Sequence, residues 1–311
     1  MTTPKRYPFD LYVAYRAFKN PGNKADYLAP EEYRGDKTLV ARSAWQSFIA
    51  SLEGLNTYIL VILEGPDEWE QFYTNVSFNG VVEVRRCIGQ TNETTFRRQA
   101  RACQLQSDAE IVAFVEDDYL WRPGACAEIV RFMRSSGVEF VTPYDHGEHF
   151  YKRHHIIRSE LFDCDRLPFY RTVARTTCTF FATREAVWKH RRAFEAYRDF
   201  PPLRRPFTFS DVSLWTIITK HKAFNPAEFL HALFFERYVA WSRFIAWLTC
   251  PLQLLFVKRS RLCVPVPSLA SHLNKEDMPP GVDWHAMIRE SIRKINCQDR
   301  VAREAPEKTA P

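Results

Sequence analysis

Short apolar runs alternate with stretches of helical spacing from residue 10 to residue 144, and this rhythm limits the possible folds more than any other feature. The runs are DLYVAYR (10–16), TYILVILEG (57–65), GVVEVRRC (80–87), EIVAFVEDD (110–118) and EFVTPY (139–144). The third reads as half-buried. The other four lack period-two polarity, as strands covered on both faces do. Between them lie SAWQSFIASLEGL, with Trp45, Phe48, Ile49 and Leu52 at helical spacing, and TTFRRQARACQLQ. A third helix, GACAEIVRFMRSS, is opened by Pro123 and stopped by Gly137. The pattern predicts an α/β fold, a mostly parallel sheet with helices on both sides. Ligands of such sheets bind beyond the carboxyl ends of the strands. Three of those ends carry charge: Arg16, Glu64 with Asp67, and Glu116 to Asp118. They are expected to converge on one crevice.

The chain has 311 residues, 46% of them apolar, enough for one large domain or two modest ones. Only 10 are glycine, and neither G-x-G-x-x-G nor a Walker-type phosphate loop occurs, which weakens dehydrogenase and P-loop kinase readings. A net charge of +6 suits an anionic small ligand, an anionic membrane surface or nucleic acid. The RRQAR stretch lacks the interleaved aromatics of a nucleic-acid surface, so no nucleic acid is expected. Eight cysteines without a C-x-x-C pair read as reduced, mostly buried thiols of a cytosolic protein, and the polar N-terminus predicts no signal peptide.

The triplet Glu116-Asp117-Asp118 closes an apolar strand and precedes a Pro-opened helix. Like charges at that density repel unless a positive group sits among them. Acids at the first and third positions of an extended segment share a side, so Glu116 and Asp118 face one ligand while Asp117 faces elsewhere. Hard carboxylate oxygens suit Mg or Mn, which also take phosphate oxygens and water. The plain alternative is an acidic surface turn salt-bridged to Arg122 or a neighbour.

The run FVEDDYLWRPGACAEIV resembles the D-x-D region of nucleotide-sugar glycosyltransferases with the GT-A fold, above all glycosyltransferase family 2 and its relatives, with Glu116 in place of the first Asp. The resemblance covers roughly residues 10–275. It implies a GT-A catalytic domain over 1–235 that includes the acceptor half, then a C-terminal helical extension over 236–311 with a partly disordered tail. It also implies that Asp118 holds a divalent Mn or Mg ion, and that Glu116 and Asp117 lie at the nucleotide-diphosphate site. Glu64 or Asp67 falls where such enzymes contact the base. Asn92, Arg97 and Arg98 fall where they line the nucleotide pocket, and Arg16 lies near the base or diphosphate. FSDVSLWTII resembles the E-D-x-x-L-W element, which puts Asp211 at the base that deprotonates the acceptor in inverting members; Ser210 replaces the usual Glu and also reads as a helix N-cap. VPVPSLASHLN resembles a P-S-L-x-x-H element whose histidine, here His272, completes the metal shell or touches the diphosphate. The resemblance thus implies a hexosyltransferase that moves a sugar from a nucleoside-diphosphate donor to a glycan or lipid-linked acceptor.

The loop DHGEHFYKRHH carries His146, His149, His154 and His155 without a zinc-type pattern, and it is expected to line the acceptor site. Residues 238–257 are apolar and aromatic, but they contain Arg243 and Pro251 and run into KRSR. A spanning helix needs about 20 apolar residues. A core helix, an oligomer contact or a helix lying in the membrane interface fits better, with peripheral contact at the inner face of the membrane. The rival functional readings are a nucleotidyltransferase, which lacks its usual Gly-rich signature here, and a carbohydrate- or nucleic-acid-binding protein that keeps the fold without the chemistry.

Overall fold

The computed structural model describes residues 7–18, 30–88, 91–152, 155–162, 168–197, 209–274 and 278–304. The first half follows the rhythm of the sequence: β1 (Leu11–Phe18), α1 (Lys37–Ser51), β2 (Thr57–Glu64), α2 (Asp67–Thr74), β3 (Gly80–Arg86), α3 (Asn92–Leu105) and β4 (Ile111–Glu116). A short β5 (Tyr119–Trp121), α4 (Ala125–Ser136) and β6 (Phe140–Val141) complete it. Helix α1 starts well before the helical spacing at Trp45 because the Asp36 side chain accepts from the Leu39 N–H and caps it. Helix α2 was not expected; Pro66 precedes it and three acids fill its first turn, which favours an N-terminus.

The second half adds α5 (Glu148–Tyr151), β7 (Leu161–Phe162), β8 (Phe169–Val173), β9 (Phe180–Thr183), α6 (Arg184–Lys189), α7 (Arg191–Ala196) and α8 (Asp211–Thr219). Then come α9 (Pro226–Phe235), α10 (Arg237–Thr249), α11 (Pro251–Phe256), β10 (Leu262–Val266), β11 (Ala270–His272) and α12 (Trp284–Glu304). The apolar stretch at 238–257 is two helices, broken where Pro251 opens α11. The tail beyond 304, His154 and Cys164 lie outside the described residues.

Among the described residues nine strands form one sheet in the order β3-β2-β1-β4-β9-β6-β10-β8-β7. Strands β9 and β8 run against the other seven. This is the expected α/β architecture, a large mostly parallel sheet flanked by helices. The C-terminal part contributes more than helices, since β10 enters the sheet between β6 and β8.

The central strands β1, β2 and β4 bury both faces, as their unbroken apolar runs require, whereas β3 at the edge is largely exposed. Leu11, Val13, Tyr15 and Ala17 of β1 join one core with Ile111, Ala113 and Val115 of β4. Tyr12 and Ala14 join a second core, on the other face, with Val112 and Phe114. Helix α12 packs on α1, where Arg42 donates to both carboxylate oxygens of Asp299 at 2.8 and 2.6 Å.

Candidate active site

Parallel register brings the strand ends together: Arg16 of β1 lies beside Glu116 of β4 and Phe18 beside Glu64 of β2. The acid triplet starts at this edge, and each acid meets a different nitrogen-bearing side chain. The Arg16 guanidinium pairs with Glu116 and also donates to the Asn92 carbonyl at 2.9 Å and to Thr95 Oγ1 at 3.3 Å. Lys37, the first residue of α1, donates to Asp117 Oδ1 at 2.9 Å, and the Phe18 N–H donates to Oδ2 at 3.0 Å. His272 Nε2 lies 3.2 Å from Asp118 Oδ2. Two fixed cations, Arg16 and Lys37, and one imidazole therefore offset the repulsion that the bare sequence poses. Arg122, the partner of the plain alternative, is not among these cations.

The environments split the three acids. Burial raises Glu116, and Arg16 only partly offsets it; Asp118 adds to the rise. Burial likewise raises Asp117 against the opposing pull of Lys37. Burial would raise Asp118 too, but His272, then Lys37 and Arg16, hold it well below the usual carboxylate range. Asp118 is thus the acid most firmly kept as an anion. Its Oδ1 is shielded from solvent and has no hydrogen-bond donor among the described residues.

The position of His272 comes from a small antiparallel ladder in which β11 pairs with β5, with His272 opposite Tyr119. The Leu273 N–H donates to the Asp118 carbonyl at 2.7 Å, and the imidazole packs against both the Tyr119 and Tyr144 rings, at 5.1 and 6.4 Å between centroids. Among the described residues no three His, Cys, Asp or Glu side chains form a ready-made metal cage. One orphaned carboxylate oxygen beside an imidazole nitrogen fits a hard divalent ion that draws most of its shell from phosphate oxygens and water, as Mg does.

Asp211 opens α8, with Ser210 as the N-cap in a reciprocal capping box. Its Oδ1 accepts from Tyr197 Oη at 3.0 Å and from the Cys178 thiol at 3.4 Å. Burial raises Asp211, while Tyr197, Cys178, Arg175 and Arg16 pull it down. Asp211 lines a cavity of about 140 Å³ together with His146, Glu148, His149, His155, Arg175 and Tyr238. The histidine-rich loop is thus gathered around Asp211. His149 bridges Asp145 and the Arg175 carbonyl, and Arg175 donates to His155 Nδ1 and to Glu148.

Residues 175–179 link the cavity to the acids. Thr177 Oγ1 bonds Tyr119 Oη at 2.6 Å, Cys178 reaches Asp211, and Thr179 Oγ1 accepts from the Glu116 N–H at 3.2 Å. Cys178 also feels the charges of Glu116 and Arg16.

No protein-family model matches the chain, and no curated protein matches it. Among solved structures, a Desulfovibrio desulfuricans G20 protein assigned as a nucleotide-diphospho-sugar transferase aligns over 42% of this chain, with 14% identity and a TM-score of 0.31. The match spans 57% of that structure. A likeness this slight carries no argument about activity.

The remaining expected residues are spread more widely. Glu64 ends β2 at the same edge. Asp67 is 97% exposed and pairs with Arg86 of β3 at 2.8 Å. Asn92 contributes its carbonyl, through Arg16. Arg97 and Arg98 are exposed on α3, whose other face buries Phe96, Gln99 and Ala100. Sequence reasoning missed Lys37, Arg175, Tyr197 and the 175–179 segment. The one local hint was Lys37, directly after a capping Asp. The other contacts join residues far apart in the chain.

Proposed function

We propose that this protein is a metal-dependent glycosyltransferase. It moves a sugar, in the hexosyltransferase manner, from a nucleoside-diphosphate donor to a glycan or lipid-linked acceptor, with inversion. The observation that carries this reading is the adjacency of two unlike acid sites. A cation-studded acid triplet at the carboxyl edge of the sheet is tied by five residues of chain to a buried Asp facing a separate cavity.

Asp118 and His272 would hold the divalent ion, Mn or Mg, which supplies charge stabilisation for a departing diphosphate. Arg16 and Lys37 place positive charge at the same edge, where negative charge builds up on the leaving group. Glu116 is engaged by Arg16 and shapes the pocket. Asp211 accepts the proton of the acceptor hydroxyl. Its raised affinity for protons makes it a better base than a solvent-exposed Asp. Tyr197 and Cys178 hold Oδ1, and no described residue bonds Oδ2, which leaves that oxygen to the acceptor. Histidine and tyrosine around the cavity suit a sugar, which offers both hydroxyls and apolar faces.

The test is thermal stabilisation by a panel of nucleoside diphosphates and nucleotide sugars, with and without manganese. A ligand that binds only the folded state raises the melting temperature. The expected result is ion-dependent stabilisation by at least one nucleoside diphosphate, lost in Asp118→Ala and retained in Asp211→Asn, which instead loses sugar transfer. Stabilisation of Asp118→Ala equal to that of the wild type would overturn the site.

A further inference from the structure

Of the twenty-one large apolar side chains exposed among the described residues, eleven lie between residues 224 and 256. They are not scattered. On α10 the half-buried Trp241 and the exposed Phe244 and Leu248 follow helical spacing, and α11 exposes Leu252, Leu255 and Phe256 directly after them. Helix α9 adds Leu230, Phe234 and Phe235, the last 76% exposed. The inner face of α10 is already buried through Val239, Ala240, Ile245 and Ala246. The helix is therefore apolar on both sides, and a folded monomer satisfies only one.

Beside this face lies a cleft of about 400 Å³ whose walls include Arg158, Lys220, Lys222, Arg259 and Arg261, with Glu160 the one acid. It adjoins the face at two points. The Lys220 ammonium sits 5.9 Å from the Phe224 ring, which packs edge-on against Trp247 of α10. From Phe256, 78% exposed, the chain runs directly into exposed Lys258 and Arg259. Burial, and then Lys189, lowers the affinity of Lys220 for its proton. At the other end of the face, Tyr238 is half exposed and also lines the Asp211 cavity.

We propose that the outward face of α9–α11, with the basic cleft at its flank, docks on an anionic phospholipid bilayer. The protein then lies on the lipid with the Asp211 cavity opening at the headgroup level. An apolar face that carries Trp and Tyr, bordered by Lys and Arg, matches the two layers of such a surface: acyl chains for the face, phosphates for the cleft. A membrane-spanning role is not needed, because no helix among the described residues is long and apolar enough to cross a bilayer. With the cavity read as the acceptor site, as above, this placement selects a lipid-anchored acceptor over a soluble glycan.

The experiment is co-sedimentation of the full chain with vesicles of phosphatidylcholine alone or with phosphatidylglycerol added. Tryptophan emission is followed in parallel. Expected are binding to the anionic vesicles, a blue shift as Trp241 enters the interface, and about tenfold weaker binding in Lys220→Glu/Arg259→Glu. The pair Phe244→Asp/Leu248→Asp is expected to abolish binding while keeping the circular dichroism of the wild type. Absence of binding to anionic vesicles overturns the proposal. So does a stable dimer in light scattering that Phe244→Asp/Leu248→Asp converts to monomer without any vesicle binding in the wild type. Nucleoside-diphosphate stabilisation of the same variants, without lipid, reads the donor site separately, so failure of one reading is not mistaken for failure of the other.

Discussion

At the scale of single residues, the site is defined by pairing. Asp117 is buried, and its charge is tolerable because Lys37 and one backbone N–H are bonded to it. Removing one partner of such a pair leaves an uncompensated buried charge. Lys37→Met is expected to cost about 3 kcal/mol in denaturant unfolding. Adding Asp117→Asn is expected to restore most of that, and a double variant as unstable as the single one would contradict the pairing. Asp211 allows a test by pH. Its folded form binds a proton more tightly than the usual Asp value of 3.8, so the acid limb of kcat/KM should lie above that value. Tyr197 stabilises the carboxylate by donating to it. Tyr197→Phe removes that donor, raises the pKa further and moves the limb to higher pH; an unmoved or lowered limb would show that the base is another group. The triplet was legible in the sequence because three acids after an apolar run are conspicuous. Lys37 and Tyr197 were not, because a partner 80 residues away, for Lys37, or 14 away, for Tyr197, leaves no periodic mark in the sequence.

At the scale of elements, β1, β2 and β4 were readable because continuous apolar runs mark strands buried on both faces. The β5–β11 ladder was not. It joins two three-residue segments that are distant in the chain, too short for any period, yet it carries His272 to Asp118. Helix α1 shows how a cap serves a site, since Asp36 fixes the start of the helix and the next residue is Lys37. Asp36→Ala is expected to destabilise the fold by about 1 kcal/mol in thermal or urea unfolding. It should also weaken nucleoside-diphosphate binding, because the first turn that aims Lys37 frays. A change in stability without any change in binding would separate the cap from the site. The apolar stretch near the C-terminus was legible as hydrophobic but not as two helices with an uncovered side, since composition does not say which face meets the core.

For the whole molecule, the chain closes on itself. Strand β10 fills the gap between β6 and β8, and α12 lies against α1, so the last third of the sequence completes what the first third begins. A chain stopped after residue 257 would leave both β6 and β8 with an open edge in the interior of the sheet. It is expected to lose its cooperative thermal transition, and a sharp melt near that of the full chain would show that the strand is dispensable. The alternation of strands and helices announced the sheet from the start, but the return of β10 depends on long-range pairing that no local pattern encodes. One last property follows from residues 175–179, which hold Asp211 with Cys178 and the Glu116 backbone with Thr179. A tether that short has no slack. Lengthening it by a single glycine would pull the thiol from Asp211 or the hydroxyl from the strand end, so this stretch should accept changes of side chain far more readily than changes of length.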